Sequence, residues 1–281
     1  MAEFLGIVAI GFVSGVLSGM FGIGGGIITT PAIRLLLDAP ALVAVGTPLV
    51  AIIPSTVTGA LAYRREGLAD VRAGVKMGLI GALTAVAGAW LTRRVGGSIV
   101  LLATAALMIY VAAEMVVQAI RPRSAAPLPT GEEAEAAAMG EVELAQEAGA
   151  SAADAAKRTG TLRLAGIGAL TGFYSGFLGL GGGFVLVPML NRWLRFDLKR
   201  AIGTSLVAIA VLSIPGAVTH WLLGNVDVRI AVGLVIGVIP GAALGARIAI
   251  GSSERALRLG FAMLLAVVGT WLAVTELGGL L

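Results

Sequence analysis

The chain of 281 residues has no cysteine and a single histidine, His220. Disulfides, thiolate metal sites and cysteine nucleophiles are thereby excluded, and no histidine cluster is left to hold zinc or haem. Charge is scarce as well: Asp, Glu, Lys and Arg make up 13% of the residues, about half the share in a soluble domain. No GxxxxGK[ST] occurs, and GxGxxG fails at both glycine clusters. Ile27 or Thr29 takes its last place in the first cluster, and Phe184 does so in the second. A phosphate-cradling nucleotide loop is therefore not expected. Nor are there convergent histidines, cysteines or paired carboxylates to carry intramembrane catalysis, so the chain reads as neither an enzyme nor a cofactor binder.

What the chain has in abundance is apolar length. Hydrophobic residues make up 58% and the mean hydropathy is +0.97. Apolar segments run approximately over 4–21, 27–37, 42–63, 71–91, 98–120, 161–180, 184–194, 200–222, 228–250 and 255–275. Most of them approach or exceed the ~20 residues that cross a bilayer as a helix. The fold class expected is an all-α polytopic membrane protein. Glycine, at 41 residues, is about twice its usual share, as suits helices that approach closely in lipid. The opening MAEFLGIVAIGF carries Glu3 and no basic flank, and reads as a first membrane segment rather than a cleaved signal. The pI near 10.0 does not point to nucleic acid, because the basic residues sit in short loops between apolar segments.

Three units follow from composition. Residues 1–120 form a first transmembrane repeat and 161–281 a second. Between them, 121–160 is rich in Pro, Ala and Glu and reads as a cytoplasmic acidic, alanine-rich linker without a core of its own. The outer units are copies. Shifted by 157 residues (Gly15 onto Gly172), GVLSGMFGIGGG falls on GFYSGFLGLGGG with seven of twelve identical, and GTPLVAI on GTSLVAI with six of seven. The same shift pairs Pro31 with Pro188, Asp70 with Asp227 and Arg72 with Arg229. Matched, interrupted apolar segments in two halves are the mark of a transporter binding site.

The basic residues decide how the copies lie. If each glycine-rich segment crossed the membrane once, the 20 Lys and Arg would divide ten against ten, with no bias. If each is instead the tip of a hairpin, 16 fall inside and four (Arg34, Arg93, Arg94, Arg229) outside, as the positive-inside rule prefers. The halves are then inverted repeats, each a Gly-broken helical hairpin plus three transmembrane helices. Both termini lie outside and the linker inside. A shallow re-entrant hairpin and two full but broken crossings satisfy this count equally.

Unwound backbone survives at membrane depth only where protein or a water-filled cavity satisfies its polar groups. A glycine run followed by a fresh helix start at Ile27 or Phe184 presents N–H groups that lack intrahelical partners and carry partial positive charge, an anion site with no formal charge. Gly24, Gly25 and Gly26 and their counterparts Gly181, Gly182 and Gly183 are the candidate binding amides. Ser18, Ser175, Thr47 and Thr204 are candidate hydroxyl donors. Tight helix packing would also account for the glycines, and small residues at helix contacts for the hydroxyls. Gly233, Gly237, Gly241 and Gly245 form a close-packing ridge. Asp70 and Asp227 read as N-caps. Glu114, the one acid well inside an apolar run, either couples transport to protons or reaches the headgroups.

On the two GxGGG…P blocks, the shared GT-x-LVAI, and Pro240, Gly241, Ala242 and Gly245, the chain resembles the TauE/SafE sulfite exporter family of membrane permeases. The resemblance covers both halves outside 121–160 and implies transport of small sulfur-containing anions (sulfite, thiosulfate, sulfoacetate or other organosulfonates) across a bacterial inner membrane. It leaves direction open. A coupling ion, H+ or Na+, would accompany such a carrier. The competing readings are a passive anion channel of the same architecture and a membrane scaffold whose partner-binding arm is the linker.

Overall fold

The computed structural model describes residues 2–95, 97–120, 162–175 and 182–278. The linker 121–160 lies outside them, as does Gly181. Helices α1 (Ala2–Phe21), α2 (Gly26–Leu36), α3 (Ala41–Arg65), α4 (Val71–Val95) and α5 (Gly97–Ile120) make up the first half. The second holds α6 over 162–175, then α7 (Gly183–Trp193), α8 (Leu198–Leu222), α9 (Val228–Gly251) and α10 (Glu254–Gly278). No strand occurs among the described residues. Seven of these helices (α1, α3, α4, α5, α8, α9 and α10) are long and apolar enough to cross a membrane. Helices α2 and α7, at 11 residues each, reach only about 16 Å at 1.5 Å per residue, half of a ~30 Å hydrocarbon core.

The segments joining these helices carry the caps expected for their ends. Asp227 accepts from the Ile230 amide at 3.0 Å and Asp70 from the Ala73 amide at 2.9 Å, satisfying one orphan donor at the start of α9 and of α4.

Helix contacts repeat across the halves under the same shift of 157 residues. A β-carbon built on Gly11 of α1 would meet the Leu234 carbonyl of α9, and one on Gly168 of α6 the Met77 carbonyl of α4. Gly15 faces Val238 as Gly172 faces Gly81. The Asp227 amide donates to the Thr47 hydroxyl at 3.1 Å, and the Asp70 amide to the Thr204 hydroxyl at 3.0 Å. In each pair, adding 157 to one partner and subtracting it from the other yields the second contact, the reciprocity of a two-fold relation.

Directions follow from the same contacts. Gly46 of α3 lies against His220 and Asn225, while Gly203 of α8 lies against Tyr63 and Leu68, so the repeat mates α3 and α8 run antiparallel. Helix α1 runs parallel to α9. Its break is level with the middle of α3 and α8, because Gly24 lies against Ile52, Thr56 and Ile209. After α2 the chain begins α3 at the end it entered from. The main apolar core is assembled around the breaks and includes Ile23, Ile27, Phe184, Val185 and Leu206.

Thr47 and Thr204 are both fully buried, so loss of either hydroxyl strands a partly buried backbone N–H of the opposite half. Thr47→Val and Thr204→Val are each expected to cost about 1–3 kcal/mol. The two losses should match in thermal unfolding of the detergent-solubilised protein; a cost at one site alone would show that the exchange is not energetic.

Candidate functional site

Helix α1 ends at Phe21, and Gly22 and Gly24 both take positive φ before the chain restarts at Gly26. Gly25 caps α2 with φ 80°, and Gly182 caps α7 with φ 63°. A side chain in this left-handed region costs roughly 1–2 kcal/mol, which is the local reason both caps are glycine. The amides of Thr29 and Leu186 turn back onto the Gly25 and Gly182 carbonyls. The amides of Gly26 and Ile27, and of Gly183 and Phe184, precede any intrahelical partner, and the positive end of each helix dipole lies there.

The two breaks touch. A β-carbon on Gly183 would lie 2.8 Å from both the Gly22 carbonyl oxygen and Ile23 Cα. Ile209 stands beside Gly24 and Gly183 alike, so the paired GT-x-LVAI blocks of α3 and α8 supply the walls. Residues 21–27 are all buried. The fully buried polar side chains among the described residues are serines and threonines, with the Tyr63 hydroxyl beside them. A bound charge here would therefore meet amides and hydroxyls rather than a counter-ion.

The first break is closed on itself by hydroxyls. Ser14 donates to the Gly25 carbonyl at 3.0 Å and lies 3.2 Å from the Thr29 hydroxyl. Thr29 donates to the same carbonyl at 2.6 Å. Ser18 accepts from Ser55 at 3.1 Å. The Gly22 carbonyl accepts from Ser205 of the other half at 3.0 Å, and Tyr63 donates to the Gly19 carbonyl at 3.1 Å. In the second break Ser175 packs against Gly182.

Of the candidate residues, Gly24, Gly25, Gly26, Gly182 and Gly183 lie at the paired breaks, and Ser18 and Ser175 line the arms leading into them. Thr47 and Thr204 lie elsewhere, on the backbone amides that open α9 and α4. Residue-by-residue reading passed over Ser14, Thr29, Ser55, Tyr63 and Ser205. For Ser14 a signal was present: its repeat mate Thr171 also carries a hydroxyl.

Glu114 of α5 sits in a separate polar cluster, where its Oε1 accepts from Arg192 of α7 at 2.7 Å and from Gln118 at 3.1 Å. Arg258 of α10 donates to Gln118 at 2.5 Å and to Asn191 at 3.2 Å. Glu114, Gln118, Asn191 and Arg192 line an open cavity of about 610 Å³. No group of three or more metal-ligating side chains occurs among the described residues.

Comparison with known proteins points to membrane transporters. The chain is similar to the probable membrane transporter protein YunE of Bacillus subtilis, 26% identical over 88% of each chain. It is also similar to a probable membrane transporter protein of Xylella fastidiosa, 28% identical over 85% of this chain and 81% of the relative. The probable membrane transporter protein MamO of Paramagnetospirillum magneticum matches 87% of this chain at 26% identity, over 40% of its own longer length. No solved structure matches significantly. The model of the family described as Sulfite exporter TauE/SafE matches residues 7–272, and the chain belongs to that family of membrane transporters, not to an enzyme class.

Proposed function

We propose that the protein is a secondary transporter for a small sulfur-containing oxyanion such as sulfite, thiosulfate or an organosulfonate. It works by alternating access between two inverted halves and binds its substrate at the paired breaks. The observation that carries this reading is the meeting of the breaks: Gly183 lies against Gly22 and Ile23, midway along α3 and α8. Two helix starts converge there from opposite ends of the bundle, which suits a compact ion with several oxygens. The antiparallel repeat mates α3 and α8 support inversion. The family name supports sulfur oxyanions. Burial of residues 21–27 supports a carrier in a closed state, because substrate reaches the breaks only when the halves part.

The test is binding and flux of purified protein with sulfite, thiosulfate, sulfoacetate, sulfate and taurine. A ligand held at a hundred times its Kd is expected to add about 2.7 kcal/mol to stability, read as a raised Tm with one or two of these anions. In proteoliposomes the same anions should show saturable uptake and counterflow, driven by an imposed H+ or Na+ gradient. Ohmic current without counterflow would establish the channel reading. No response to any anion would favour a scaffold.

A further inference from the structure

We infer that the two breaks divide their labour: the second binds the substrate oxyanion through the Thr171 hydroxyl and the first amides of α7, while the first is a structural counterpart. The inference rests on the reading of the breaks as the anion site, narrows it from both helix starts to that of α7, and names the donor.

Thr171 is 2% exposed, and its Oγ1 has no hydrogen-bond partner. A lone buried hydroxyl is costly and calls for an explanation. A threonine inside a helix usually bonds the carbonyl four residues back. Thr56, Thr84, Thr219 and Thr275 all do so, whereas Thr171 leaves that bond unmade. Its side chain stands against the cap of α7, methyl nearest: a β-carbon on Gly182 would fall 3.2 Å from Thr171 Cγ2 and 3.0 Å from its carbonyl oxygen. The amides of Gly183 and Phe184 start α7 directly beyond that cap.

The other half shows what would satisfy such a hydroxyl. Ser14 stands at the matched position and is bonded to the Gly25 carbonyl and to Thr29. In the second half Leu186 replaces Thr29, so the closed triad cannot form. One break has its hydroxyls bound to its own backbone; the other keeps one in reserve, beside a helix N-terminus that favours negative charge. An oxyanion completes the set. Its oxygens accept from Thr171 and from the two amides, where a halide would gain less from a fixed array of donors.

The discriminating experiment uses Thr171→Val, which removes the hydroxyl and keeps the shape, with thiosulfate and sulfite as probes on the full-length protein. Loss of an unpaired buried hydroxyl is expected to leave the anion-free Tm unchanged or raised. The apparent Kd for the responding anion should rise at least about tenfold, as for a lost hydrogen bond to a charged group. Thr171→Ser should restore most of the affinity. Ser14→Ala should do the reverse, lowering Tm while the anion response persists. A Thr171→Val protein with a lowered anion-free Tm and wild-type affinity would overturn the inference, as would equal effects on affinity from Thr171→Val and Ser14→Ala. If Gly182→Ala weakens binding and Thr171→Val does not, this inference fails alone. If neither changes the response of a folded protein, the breaks are not the anion site.

Discussion

Replacing Gly183 by alanine is expected to cut transport about 5–150-fold in a protein that still inserts and folds. Gly183 is helical, so the substitution places no strain on its backbone angles. What it adds is one methyl at the point where the two breaks meet, 2.8 Å from Gly22 O and Ile23 Cα. Both are backbone atoms that cannot swing aside. Overpacking of this kind costs about 1–3 kcal/mol, and here the cost falls on the state in which the breaks are in contact. If that state lies on the transport cycle, its population falls about 5–150-fold. Flux should fall accordingly, with a smaller loss of Tm. Gly67→Ala and Gly224→Ala are the controls: both positions have positive φ, yet a β-carbon there meets no atom within 4 Å. Each should cost about 1 kcal/mol of backbone strain and leave KM unchanged. Wild-type flux from the Gly183→Ala protein would show that the breaks never need to touch.

That contact marks the boundary of what the sequence could reveal. The shift of 157 residues made the halves copies, the basic residues called for one hairpin and three helices in each, and the positive-φ glycines Gly22, Gly24, Gly25 and Gly182 stand just before α2 and α7. Asp70 and Asp227 are legible as caps because a cap acts within three residues of its own position. The ridge Gly237, Gly241 and Gly245 is legible because its spacing alone forces a close crossing. Thr47 and Thr204 are not legible in the same way. Their partners, Asp227 and Asp70, are 180 and 134 residues distant, and nothing local reveals that each hydroxyl serves the opposite half. The Glu114–Arg192 pair escapes for a further reason. Their repeat mates are Trp271 and Leu35, so the duplication that reveals the rest offers no second copy to compare. Thr171 shows the limit most clearly. That it matches Ser14 is written in the sequence, but that it lacks a partner depends on Leu186 standing where Thr29 stands in the other half.

A leucine at Gly15 is expected to prevent assembly, and one at Gly172 to do so to the same degree. In lipid the tails are as apolar as the helices, so association depends on close van der Waals contact between backbones rather than on the hydrophobic effect. Helices α1 and α9 make that contact along a stripe: Gly11, Gly15 and Gly19 meet the backbone of Leu234, Val238 and Ala242, while Gly237, Gly241 and Gly245 meet that of Val8, Phe12 and Val16. At Gly15 an added β-carbon would come within 2.6 Å of Val238 O, 2.8 Å of Val238 Cα and 3.0 Å of Ala242 N. With backbone on every side, a larger side chain can be admitted only by driving the helices apart, and the contacts above and below are lost with it. The loss is expected to exceed about 3 kcal/mol, seen as aggregation in size-exclusion chromatography or a collapse of Tm. Gly6→Leu, on the same helix at a point where a β-carbon meets no atom within 4 Å, should leave both readouts unchanged. The crossing matters for transport because it joins opposite halves: α1, which leads into the first break, is held by α9, and α6, which leads into the second, by α4. Each break is thus carried by a helix pair drawn from both repeats, so the halves can part at the breaks only if these pairs move as units. A wild-type Tm for Gly15→Leu would mean that the crossing is loose and the pairs do not move together. A loss at Gly15 without one at Gly172 would confine that rigid coupling to the first break.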